Sequence, residues 1–131
     1  MNAALLASLE QAAEIAGDIA PAIYARYFER CPDSMAIMVH TDEHMRGRMI
    51  EEVYRLLMAE DVSQERDYLV FETSNHRAYG AQPHMYENLL LATQDVVEKA
   101  LGENFDDAMK AAWEKRLEDL LSMLRPFAAA V

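Results

Sequence analysis

The stretch Asn75-His76-Arg77-Ala78-Tyr79-Gly80-Ala81-Gln82-Pro83-His84-Met85-Tyr86 decides how this chain is read. The segment before it predicts a helix over about 65–78 that stops at Gly80. Pro83 opens a second helix, since a proline at the first helical position lacks only an N–H that would have no partner there. His76 therefore sits in the last turn of one helix, beside the first turn of the next. Tyr86 falls on the first turns of that second helix. This puts an imidazole at a helix C-terminus, facing into a helical bundle.

The rest of the chain extends the same pattern. An alanine-rich helix is expected over about 2–16, with Leu5, Leu6, Leu9, Ala13, Ile15 and Ala16 turned inward. Gly17-Asp18 marks a joint, and a second helix over 19–30 carries the stripe Ile23, Tyr24, Tyr27 and Phe28. Cys31-Pro32 breaks it, because the residue before a proline is pushed out of the α region. A short helical turn over 33–38 carries Met35 and Met38. Thr41 or Asp42 caps a helix to Met58, whose apolar face is Met45, Met49, Ile50, Val53, Leu56 and Leu57. The helix begun at Pro83 runs to Leu101, with Gly102 at its C-terminal stop. A last helix is expected over 104–124, ended by Pro126. The fold class is all-α, with six main helices, one short turn and no strand, in a single domain over 1–131.

Composition narrows the function. The formal net charge is −11, which excludes nucleic acid as a partner, because phosphates are bound by clustered Lys and Arg. It disfavours an anionic membrane surface as well. No stretch approaches the roughly 20 apolar residues of a spanning helix. The N-terminus lacks a basic region and carries Glu10 and Glu14, so a signal peptide is not expected and a cytoplasmic location is. The one cysteine, Cys31, permits no intrachain disulfide and reads as a small buried hydrophobe.

With the helices laid out, the chain resembles the globin family, in particular bacterial single-domain globins and the haem domain of flavohaemoglobins. Pro83 follows His76 by seven positions and Tyr86 follows it by ten, as in that family. Gly102-x-x-Phe105 followed by Ala112-Trp113 is similar to the globin approach to its last helix. Tyr24 and Phe28 precede Pro32 by eight and four residues, as in the family's second helix. The resemblance covers nearly the whole chain. It implies haem b (iron protoporphyrin IX) held between the helix ending at His76 and the helix beginning near Asp42, with a diatomic gas as ligand.

The resemblance assigns each site residue a role. His76 is the expected proximal metal ligand, the alternative being a histidine that favours a helix C-terminus. Its other nitrogen needs an acceptor, and the Glu72 carbonyl one turn earlier is placed to supply it. Tyr24 lies over the distal face, where its hydroxyl donates to a bound gas, or else is a core tyrosine bonded elsewhere. Met49 lies over the haem and Met45 at the distal gate, commonly His or Gln in globins. His44 and His40 are alternative sixth ligands or plain surface histidines. Met38 stands where the family carries phenylalanine. Tyr86 matches a proximal tyrosine that in flavohaemoglobins works with a glutamate on the last helix, where this chain has Pro126-Phe127-Ala128. Arg48, Arg46 or Arg77 is placed to pair with haem propionates or simply to be solvated.

Other chemistries find little support. A di-iron bundle needs Glu-x-x-His pairs, and Glu72 precedes His76 by four. His40 and His44 have a zinc-pair spacing without a third ligand. There is no Gly-rich phosphate loop and no nucleophile elbow. The leading expectation is a globin that reversibly binds dioxygen, NO or CO. A second is a nitric oxide dioxygenase working with an external reductase, and a third is a globin-like interaction module that has lost haem. The oligomeric state is left open, a dimer included.

Overall fold

Capping aspartates and helix-stopping glycines divide the chain at the expected places. The computed structural model describes residues 2–129, which form seven α-helices: α1 (Ala3–Ala16), α2 (Ala20–Arg30), α3 (Ser34–Met38), α4 (Glu43–Met58), α5 (Arg66–Arg77), α6 (Pro83–Leu101) and α7 (Asp107–Ala129). Two 3-10 turns, Val62–Glu65 and Gly102–Asn104, lead into α5 and α7. No strand occurs among the described residues. The protein is all-α, as the periodicity predicts.

Local chemistry accounts for the boundaries. The Asp42 carboxylate accepts from the Met45 N–H at 2.8 Å and starts α4, satisfying a donor that the helix leaves without a partner. Asp106 does the same for Met109 at 2.8 Å, so α7 begins at Asp107 and not at Asn104. Gly80 turns the chain between α5 and α6 with φ of 95°, and a Cβ there would lie 3.3 Å from the Ile37 side chain. Only glycine combines that backbone with so close an approach.

α1 corrects the expected inward face. Leu5, Ser8 and Ala12 are buried, whereas Leu6 and Ile15 are 40% and 58% exposed and Ala13 and Ala16 face out. Small residues line this stripe because α1 lies against both α6 and α7. Trp113 of α7 is fully buried there, its indole N–H donating to the Ser8 hydroxyl at 2.8 Å. Ser8 in turn donates to the Leu5 carbonyl at 2.6 Å. Leu5 and Leu9 face inward as expected, whereas hydrophobicity misplaces Leu6, Ala13, Ile15 and Ala16 because a serine is the centre of the contact.

α7 is the second correction, since it continues through Pro126 to Ala129. Proline removes one helical hydrogen bond, but the turn beyond it is held by tertiary contacts. Ala128 is buried, Phe127 packs on the core, and the Phe127 carbonyl accepts from Arg77 at 2.6 Å. The Arg66 guanidinium lies 5.2 Å from the Phe127 ring. These contacts outweigh the local stop signal.

α2 packs along α6, and α5 packs on α7. Ile23, Tyr24 and Tyr27 from α2, Ile50, Val53 and Leu57 from α4, and Leu117, Leu120 and Leu124 from α7 fill the core. Arg116 is a charge inside this assembly, 7% exposed, donating to Asn2 Oδ1 at 2.8 Å and the Leu56 carbonyl at 3.3 Å. Among the described residues no helix is long and apolar enough to cross a membrane.

Candidate functional site

His76 occupies the last turn of α5, and its carbonyl accepts from Tyr79 and Ala81 where the helix closes. Its Nδ1 lies 2.8 Å from the Glu72 carbonyl, the acceptor expected from sequence. A carbonyl only accepts, so Nδ1 carries the proton and Nε2 of the neutral ring presents its lone pair. The Glu72 carboxylate reaches the same Nδ1 at 3.3 Å. An acid therefore does stand behind His76, supplied by α5 itself and not by the last helix. The side chain is 36% exposed, accessible to a ligand.

Tyr86, from the start of α6, meets His76 edge to face, with ring centroids 6.4 Å apart. Its hydroxyl is buried and has no hydrogen-bond partner among the described residues, and the same holds for Nε of Arg77, the residue after His76. Burial pushes the Tyr86 phenol up to about 12, so it is a donor, with Arg77 opposing and Glu72 reinforcing the shift. Most buried polar groups in folded proteins are paired. The Tyr86 hydroxyl and Arg77 Nε are exceptions to that rule.

A second group of expected site residues lies on α2, α3 and α4. Tyr24 is 4% exposed, and its hydroxyl donates to the Arg46 carbonyl at 3.0 Å. The Arg46 guanidinium sits 5.5 Å from the Tyr24 ring centroid and 5.3 Å from that of Phe28. Its Nε donates to Thr41 Oγ1 at 2.8 Å and its Nη2 to the Met38 carbonyl at 3.4 Å. Arg46 is thus a tie between the start of α4 and the end of α3. Met38 is 5% exposed in the core, and Met49 is half-buried against it. Met45 is 41% exposed at the surface and Arg48 is exposed with it. His44 is exposed, and His40 stacks on Tyr79 at 6.1 Å, joining the corner before α4 to the one after α5.

The structure thus brings His76 and Tyr86 together in one group, and Tyr24 and Met38, through Arg46, in another. It does not gather Met45 or Arg48 into either group. The folding back of Arg46 over Tyr24 has no sequence signal, since Arg46, Arg48 and Arg77 read alike along their helices. Two open surface clefts, of about 650 and 690 Å³, are lined by neither His76 nor Tyr24. No protein-family model matches the chain, and no curated protein or solved structure matches it either.

Proposed function

We propose that the protein is a globin-like haem protein that binds haem b through His76 and a diatomic gas on the opposite face. The carrying observation is the His76 Nδ1–Glu72 carbonyl hydrogen bond, which orients the ring and leaves Nε2 free as a metal donor. The Tyr86 hydroxyl and Arg77 Nε, buried and without partners among the described residues, are donors that a polar-edged group could take up. The sequence resemblance to bacterial globins supplies the identity of that group. Haem iron would supply the site at which dioxygen, NO or CO binds.

The chain's own residues have separable parts in this reading. His76 holds the metal, and Glu72 keeps its ring in the required tautomer. Met38 and Met49 form an apolar wall that excludes water. Tyr24 supplies a buried hydroxyl to the bound gas, after leaving the Arg46 carbonyl. Met45, at the surface, is a gate residue rather than a ligand.

A second reading, nitric oxide dioxygenation, is favoured by the Glu72 carboxylate 3.3 Å from Nδ1. A carboxylate there raises the basicity of the ligating imidazole, which favours oxidative chemistry at the metal. Conversion of NO and dioxygen to nitrate consumes one electron, which an external reductase would have to supply. Reconstitution with haem followed by CO difference spectroscopy tests the gas-binding reading. Protein that stays colourless supports the third reading, an interaction module without haem. Nitrate production from NO by the oxygenated protein with a generic reductase separates the enzyme from a simple carrier.

A further inference from the structure

We propose that Cys31, Asp33 and His84 form a binding site for a thiophilic divalent cation, zinc by the chemistry of its donors, where the α2–α3 corner meets the start of α6. Cys31 Sγ, a carboxylate oxygen of Asp33 and a ring nitrogen of His84 all lie within 4.8 Å of one another. The Cys31 thiol donates to Asp33 Oδ1 at 3.0 Å, and His84 Nε2 donates to Asp33 Oδ2 at 2.7 Å. His84 lies more than fifty residues from Cys31 and Asp33, which are two apart, so the packing of α2 on α6 assembles the three donors.

The scaffold beneath the donors is rigid. Cys31 leaves α2 with φ of −139° and ψ of 71°, out of the α region as a residue before proline is. Its N–H donates to the Tyr27 carbonyl at 2.8 Å, and its carbonyl accepts the Ser34 hydroxyl at 2.7 Å. Pro83 sets the first turn of α6, and the Asn88 amide donates to the His84 carbonyl at 2.8 Å. Asn88 also accepts from Arg30 at 3.3 Å, tying α6 back to α2 beside the cluster. Cys31 is buried, whereas the Asp33 and His84 side chains are 55% and 45% exposed. One donor is thus fixed and two can close by small rotations.

The donor set selects the metal. A thiolate disfavours magnesium and calcium, which take oxygen ligands, and one sulfur, one nitrogen and one oxygen suit tetrahedral zinc with water in the fourth position. The order of the hydrogen bonds argues against a nucleophile instead. Asp33 stands between the thiol and the imidazole, so the group facing Cys31 is a carboxylate, too weak a base to hold a thiolate, and no imidazole is aimed at the sulfur. Burial, and then the bond to Asp33, push the thiol up and keep it protonated without metal. On binding, the Cys31 proton passes to solvent as the sulfur–metal bond forms. The His84 proton moves to Nδ1, so that Nε2 donates its lone pair. The thiolate and the carboxylate together offset the cation against the partial positive charge at the start of α6. This site is independent of His76.

The test uses the full chain, stripped by chelator and free of haem, titrated with Zn²⁺ against a chromophoric competitor and separately with Co²⁺. The expected result is 1:1 binding, with a thiolate-to-cobalt charge-transfer band that Cys31→Ser abolishes. His84→Ala and Asp33→Asn weaken zinc binding by about tenfold or more. His76→Ala, His40→Ala and His44→Ala bind as the unaltered protein does. His84 is exposed, so His84→Ala keeps its fold, checked by circular dichroism, and its result decides the matter if Cys31→Ser does not fold. Absence of 1:1 binding, a cobalt complex without the charge-transfer band, or affinity unchanged in His84→Ala overturns the proposal.

Discussion

The hydroxyl of Tyr24 on α2 donates to the main-chain carbonyl of Arg46 on α4 at 3.0 Å, and the Arg46 side chain folds back over the same tyrosine ring at 5.5 Å. One residue therefore engages both the polar tip and the aromatic face of Tyr24. Burial raises the phenol to about 12, so it stays a donor at any physiological pH. It has one proton to give. In this structure that proton is given to the Arg46 carbonyl.

Tyr24→Phe removes the hydroxyl and keeps the ring. The haem-free protein is expected to lose about 1 kcal/mol of stability, the net worth of one hydrogen bond, read by urea denaturation. In the reconstituted protein the same change speeds dioxygen release by roughly tenfold, equivalent to about 1.4 kcal/mol, in a stopped-flow displacement experiment. An unchanged release rate would leave Tyr24 a packing residue held by Arg46.

Arg46→Ala removes two side-chain hydrogen bonds and the contact over Tyr24 and Phe28 together. The loss is expected to be about 1–3 kcal/mol in denaturant unfolding. Arg46→Lys recovers only part of it, because an ammonium lacks the planar fork that reaches Thr41 and the Met38 carbonyl at once.

How legible such features are in the sequence depends on their range. The α4 cap at Asp42, the turn at Gly80 and the start of α6 at Pro83 rest on neighbouring residues, and each appears where the sequence puts it. The His76–Glu72 contact is also legible, because a helix places a carbonyl one turn back. The inward face of α1 is not, since it turns on Trp113 reaching Ser8 across more than a hundred residues. Pro126 misleads for the same reason: its local stop signal is overruled by Arg77 and Arg66 from α5. The Cys31–Asp33–His84 cluster exists only once α2 has docked on α6.

Ser8→Ala tests the α1 correction. It strands the buried Trp113 N–H without an acceptor and should cost about 1–3 kcal/mol, seen as a lower Tm. Ile15→Ala, at a residue that is 58% exposed, should change stability by less than about 0.5 kcal/mol.

Asp33 gives a pH dependence of known sign. Hydrogen bonds from Cys31 first, and from His84 next, hold its carboxyl below the ordinary value of 3.8. The unfolded chain therefore binds more protons at this group than the folded one. Its contribution is fully present above about 3.8, as in the unfolded chain, and is lost as pH falls through the lower folded value. Unfolding free energies measured across that acid range should fall less steeply for Asp33→Asn than for the unaltered protein.

The central claim is metal ligation by His76, and a haem titration of His76→Ala with and without added imidazole tests it most directly. The account predicts a saturable 1:1 Soret band for the unaltered protein, a weakened and shifted band for His76→Ala, and recovery of the original spectrum when free imidazole fills the vacated position. A colourless unaltered protein, or a His76→Ala spectrum identical to the original, would contradict it.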